Sequence, residues 1–282
     1  MEIVLLLLAV VVIAVITVKI WRMIRIYRLR KQALESAFHL SNSLSKFMCD
    51  VSEIIRPGVS TADIDKFLGE RAVSAGLMPY FQGYGDYPFA TTTSINDEVI
   101  NTLPSNRVLC SGDLFKLQFG LSDGIGYVCQ AWTYPVGVVS QSRQRLLENT
   151  SHTLSDSIKH IKAGKKVGDI GSAIAASLSK FGLHGSKDFV GYRMSFVPRE
   201  CPRIACDGPG PDAKSKLKQD MVLQFIVIAH AGKPDVYIDK DMWNVKTEDG
   251  SDSVLFSHML IVKADRAKCL TKPLVRSAPH SA

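Results

Sequence analysis

Apolar residues fill positions 3–18, IVLLLLAVVVIAVITV, with Thr17 as the one polar member. Ile20 and Trp21 extend the run past Lys19, whose aliphatic stem lets its ammonium snorkel to an interface, so residues 3–21 approach the ~20 needed to cross a bilayer as a helix. From Lys31 to Ile55 the pattern changes. Ala33, Leu34, Phe38, Leu44, Phe47, Met48, Val51, Ile54 and Ile55 recur at near-helical spacing, which predicts an amphipathic helix joined to the first segment and stopped at Arg56-Pro57-Gly58. Between Leu114 and Gly137 the pattern becomes that of a hairpin. LFKLQFGLS and YVCQAWTYP are two β-type runs, and Asp123-Gly124 between them supplies the turn. On such a hairpin Gln118 and Cys129 are the inward candidates.

A second pattern runs on a longer scale. RPGVSTADIDKFLGERAVSAG, 56–76, and KAGKKVGDIGSAIAASLSKFG, 162–182, share a basic residue, a glycine, an Asp-Ile pair and a closing glycine, with Gly-to-Asp spacing of five and Asp-to-Gly spacing of thirteen in both. Gly58 and Gly164 suit a tight turn, the polar stretch up to Asp63 or Asp169 suits a helix cap, and Gly76 or Gly182 suits a left-handed exit. A helix precedes each copy, the second over about 143–161. Strands follow each copy, over 89–136 and 189–262. The expected class is α+β, built as two pseudo-equivalent halves with a groove between them.

Charge alters this picture at one end only. The chain carries a formal +7, but Lys19, Arg22, Arg25, Arg28, Arg30 and Lys31 supply six of those charges and Glu2 offsets one, which leaves about +2 for residues 32–282. The body therefore lacks the basic excess of a nucleic-acid binder. A signal peptide would carry its positive charge before the apolar run and a small-residue cleavage site after it, whereas here Glu2 precedes and arginines follow. An uncleaved anchor is expected, with the N-terminus outside and everything from Lys19 onward cytoplasmic. The six cysteines form no CxxC pair, which fits reduced thiols; Cys201 and Cys206 lack the paired spacing that would complete a zinc site.

In order and spacing, RPGVSTADIDKF, TTTSINDEVINTLPSN, SGDLFKLQFG, KAGKKVGDIG, KDFVGY, AGKPDV and DGSDSVLFSHMLIVK resemble the type I methionine aminopeptidases of the pita-bread metallopeptidase family, M24, over roughly residues 34–270. The resemblance implies a central cleft with two divalent metals held by two aspartates, a histidine and two glutamates, and two further histidines that serve the substrate. Carried over position by position, the five ligand places fall on Gln118, Cys129, Tyr192, Ile226 and Ser257, and the two auxiliary histidines on Asn101 and Arg199. Four carboxylates have thus become Gln, Cys, Ile and Ser, and desolvating dications without paired anions costs several kcal/mol per ion.

The expectation that follows is a pita-bread fold preceded by one transmembrane helix. Residues 1–31 form the anchor, 32–271 the aminopeptidase-like domain and 272–282 a disordered tail. The sequence reading expects no cofactor and no enzyme, but a binding or scaffolding module with an unknown protein or peptide partner at the membrane and no nucleic acid. The alternative is an M24 hydrolase that retains peptide-bond chemistry or has moved it elsewhere, with Cys129 and a nearby His230 or His258 as conceivable participants. Three subsidiary expectations concern the former cleft. Arg199 and Arg193 could make it an anion receptor, Tyr192 could fill the lost imidazole's volume and bond Gln118, and Trp132 could lie on the hairpin's outer face.

Overall fold

The computed structural model of the chain describes residues 2–272. Its first element is a single helix, α1 (Glu2–Ile54), that merges the apolar run and the amphipathic segment without a break. No glycine or proline occurs before Pro57, so nothing in the sequence interrupts the backbone ladder. Beyond residue 32 one face of α1 is buried through Ala33, Ala37, Leu40, Leu44, Met48 and Val51, at spacings of three and four. Phe38 points away from that face and is exposed.

After α1 come α2 (Thr61–Ser74), β1 (Met78–Pro79), β2 (Thr91–Ile95), β3 (Glu98–Ile100), β4 (Leu114–Ser122) and β5 (Tyr127–Pro135). The second half runs α3 (Gln141–Ile158), α4 (Val167–Ser179), β6 (His184–Gly185), β7 (Gly191–Met194), β8 (Glu200–Ile204), β9 (Val222–His230), β10 (Val236–Ile238), β11 (Val245–Thr247), β12 (Ser253–Val262) and β13 (Ala267–Cys269). β4 pairs antiparallel with β5 and, on its other edge, with β1 and β2. The second large sheet runs β13-β12-β9-β7-β8, with β6 on β9, and a small sheet β10-β11-β3 joins the halves. Packing follows the duplication: one buried cluster unites α1 and α2 with the first sheet, the other α3 and α4 with the second.

The repeat read from the sequence is a structural repeat. Gly58 and Gly164 hold φ of 93° and 83°, and Gly76 and Gly182 both 70°, the left-handed region where a Cβ would be strained. Gly58 N donates to Leu109 O at 2.9 Å and Gly164 N to Leu217 O at 2.8 Å, so each turn is tied to the same place in its half. The caps differ. Ser60 and Asp63 form a reciprocal capping box on α2, whereas Lys166 opens α4 with no side-chain bond and Asp169 instead faces Lys165 at 3.7 Å. The cap expected in the second copy is therefore absent from the described residues.

Two elements tie the halves to each other and to α1. At the hairpin's tip Asp123 Oδ1 accepts from Ile125 N and Gly126 N, both at 2.9 Å, while Ser36 Oγ donates to Asp123 Oδ2 at 2.7 Å. A Cβ on Gly126 would lie 2.6 Å from Ser36 Oγ and 3.1 Å from Ala33 O, so the glycine is what lets the hairpin dock on α1. Between the sheets, the edge of β5 faces the free edge of β12 through side chains. Thr133 Oγ1 donates to Leu255 O and accepts from Leu255 N, both at 2.9 Å, and Ala131 N donates to Ser257 Oγ at 2.7 Å.

Trp132 packs into this junction, its ring 4.5 Å from Phe256 and 5.6 Å from His258, and is not on the outer face. The second sheet closes over that side of the hairpin. Of the tail expected from 272, Lys272 is fixed: its N donates to Ser45 Oγ at 3.0 Å and its O accepts from Gln130 Nε2 at 3.0 Å. The remainder of that tail lies outside the described residues.

Candidate functional site

Where the two halves meet, a cavity of about 150 Å³ is lined by Asn101, Gln118, Asp188, Tyr192, Arg199 and Ile226, with Gln224 and Phe189 between them. Five of the seven positions singled out in the sequence come together here from five separate segments. β4 brings Gln118, β7 brings Tyr192 and β9 brings Ile226. Asn101 and Arg199 come from loops and hold φ of 64° and 57°. Left-handed backbone at a non-glycine residue is costly, and two such residues on one cavity mark a place where the surrounding structure dictates side-chain direction. Gly191, just before Tyr192, has no room for a Cβ, which would meet Gln224 O at 2.6 Å, so β7 lies tight against β9 at the cleft wall.

Arg199 dominates the electrostatics. Its guanidinium carbon stands 4.9 Å from the centre of the Tyr84 ring and 6.0 Å from that of Tyr192, and among the described residues it makes no ion pair. Its charge reaches the core behind the cavity: burial pushes the Tyr80 phenol and the Cys129 thiol up, the latter to about 12, while Arg199 opposes both shifts. Asp188 is the carboxylate among the lining residues. Sequence reasoning missed it, since a lone aspartate in a loop carries no pattern. It stands immediately after Lys187 in the quoted KDFVGY segment, and that was the available signal.

Cys129 and Ser257 do not line the cavity. Cys129 is fully buried beside Gln118 in the core of the first half, and Ser257 is fully buried at the junction, where its Oγ is occupied by Ala131 N. Cys129 and His258 share no hydrogen bond: the His258 ring meets Thr271 Oγ1 at 3.0 Å and burial lowers its pKa to about 4. His230 is equally buried at the far end of β9. Among the described residues no Cys/His pair is thus assembled in the cleft. Tyr192 likewise makes no bond to Gln118, whose Oε1 accepts from Thr92 Oγ1 at 3.4 Å. Arg193 faces away from the cleft, toward α1 and Glu200. Cys206 Sγ is spent on Ile226 O at 3.3 Å while Cys201 is exposed, which separates that pair too.

A dinuclear site of the aminopeptidase type requires anionic oxygens that bridge two cations. Gln118, Cys129, Tyr192, Ile226 and Ser257 offer a neutral amide, a thiol held protonated at neutral pH, a phenol, a hydrocarbon and an occupied hydroxyl. That donor set does not fit two dications. Among the described residues no three of His, Cys, Asp and Glu gather to hold a metal ion.

The chain as a whole is similar to enzymes. The model of metallopeptidase family M24 matches residues 39–264. Methionine aminopeptidase 1 of Bacillus subtilis is 29% identical over 223 residues, 79% of this chain and 90% of its own. The methionine aminopeptidase of Aquifex aeolicus is 31% identical over 257 residues, 86% of this chain and 97% of its own. The crystal structure of methionine aminopeptidase from Thermotoga maritima superposes with a TM-score of 0.81 at 28% identity, covering 86% of this chain and 97% of that one.

These likenesses correct the expectation that the chain is no enzyme. Relatives near 30% identity that are matched over almost their whole length are named as aminopeptidases, and the likeness extends over more than two hundred positions. The chain belongs to metallopeptidase family M24, as a methionine aminopeptidase-like member built on the pita-bread fold.

Proposed function

We propose that the chain is a membrane-tethered hydrolase of the M24 type that works on the amino-terminal end of polypeptides, with its chemistry carried by side chains of the cleft. The observation behind this reading is the cleft itself, kept between the halves of a metallopeptidase fold and lined by one carboxylate, Asp188, and one free cation, Arg199. Its volume of about 150 Å³ is below that of a drug-sized pocket, which suits the end of a chain. Arg199 is the group to stabilise a carbonyl oxygen as negative charge develops on it, and Asp188 is the candidate base to take a proton from attacking water. Asn101, Gln118 and Gln224 supply neutral donors and acceptors that orient a peptide unit.

Tethering has its own support. α1 contains a segment of mean hydropathy 2.3, none of it buried, and it is the helix among the described residues long and apolar enough to cross a membrane. The basic residues that follow support a body on the cytoplasmic side.

The test is turnover by the full chain in nanodiscs, with peptides that vary in their first residue. Release of that residue is expected to persist in chelator. Arg199→Ala is expected to cost about 100-fold or more in kcat, as loss of an oxyanion-stabilising group does, and Asp188→Asn to lower kcat with KM little changed. Peptide binding without turnover under any of these conditions would overturn the hydrolase reading.

A further inference from the structure

A second cavity, of about 490 Å³, lies where α1 leaves the apolar segment and meets the body. α1 contributes Tyr27, Arg30, Lys31 and Leu34; the second half contributes Arg193 from β7 and Lys218 and Met221 from the loop before β9. Tyr27 is 71% exposed although it is large and half apolar.

The charges here are unbalanced. Arg30 Nη2 and Arg193 Nε approach the same Glu200 Oε2, at 3.7 and 3.6 Å, so one carboxylate serves two guanidiniums. Lys31 and Lys218 make no ion pair among the described residues, and Asp220, the carboxylate on the cavity wall, is engaged by Lys263 at 2.7 Å. Arg193 is no freely solvated surface charge, its side chain being 14% exposed. Burial, and then the charge of Arg30, lower its pKa, which marks a cation held where another anion is wanted.

We infer that this cavity receives the phosphate-bearing headgroup of an anionic phospholipid. Position supports a lipid over a soluble anion. At 1.5 Å per residue, Tyr27 stands about 9 Å and Arg30 about 14 Å beyond Trp21, just outside the headgroup layer on the side where the basic residues emerge. A headgroup with phosphomonoesters on an inositol ring reaches outward to that height. The cavity offers it guanidinium and ammonium donors, with Tyr27, Leu34 and Met221 as apolar wall for the glycerol end. Association with such a lipid would clamp α1 against β7 and so fix the body on its tether.

The inference rests on the tether, so the experiment keeps the two apart. Alkaline carbonate extraction of native membranes reads the tether alone. If the chain is stripped off, the membrane reading fails. For the cavity, the full chain is placed in nanodiscs of phosphatidylcholine with or without phosphatidylinositol bisphosphate, and amide exchange is followed over residues 191–194 and 217–222. Exchange there is expected to slow about tenfold when the anionic lipid is present near ten times its dissociation constant. Affinity should fall about fivefold for each charge removed by Lys31→Gln or Lys218→Gln, which cuts the slowing to about threefold; both residues are exposed and their loss leaves the fold intact, whereas Lys31→Arg should keep the full response. Equal exchange in the two nanodiscs, or an equal response to soluble inositol bisphosphate in phosphatidylcholine nanodiscs, would overturn the inference while leaving a carbonate-resistant tether in place.

Discussion

Two histidines outside the cleft carry a prediction of their own. His230 is fully buried on β9, and neither ring nitrogen has a hydrogen-bond partner. Burial first, and the nearby Lys116 charge second, lower its pKa from 6.5 to about 4. His258 is lowered to about 4 by burial alone. Between those pH values the unfolded chain takes up protons that the fold excludes, so stability is fully present above about pH 6.5 and is lost as pH falls toward 4. The thermal midpoint followed by circular dichroism should drop across that window. His230→Leu should remove part of the slope and raise the midpoint at its acid end. A midpoint equally pH-dependent in wild type and variant would contradict this assignment.

At the scale of elements, the junction of β5 and β12 depends on hydroxyls. Thr133 answers both the N–H and the C=O of Leu255, so Thr133→Val keeps the shape but strands two buried backbone groups. Each such group costs about 1–3 kcal/mol, and a loss of roughly 2–6 kcal/mol is expected by denaturant titration, with Thr133→Ser recovering most of it. This junction left no trace in the sequence, because its partners lie 122 positions apart and are joined by side chain to backbone. The paired turns at Gly58 and Gly164 were legible for the opposite reason: a left-handed residue next to a cap is a local demand, written twice at the same spacing. The hairpin was legible in its turn and its strands, but the burial of Trp132 was not, since it follows from a sheet that closes over the hairpin from the other half. For the cleft, the matched positions Asn101, Gln118, Tyr192, Arg199 and Ile226 were found, whereas Asp188 needed three dimensions to be noticed.

Over the whole molecule, α1 serves two environments with one rod. Its first part is exposed hydrocarbon, and from Ala33 it is core, packed with α2 and the β4–β5 hairpin. Truncation before Lys31 should therefore leave a soluble body with a cooperative unfolding transition. Truncation through Ile55 should not, because it strips Leu40, Leu44, Met48 and Val51 from the first half's core. Yields and melting curves of the two truncations decide between this and a helix that is mere tether.

The unbroken course of that helix from exposed apolar segment to core also sets how the body is held. Between Trp21 and the first buried residue, Ala33, it rises about 18 Å without a pivot. The body is thus carried rigidly on the apolar segment, unlike a domain on a flexible leash that samples a hemisphere. Whatever holds the exposed apolar end therefore also fixes which way the cleft between the halves is turned.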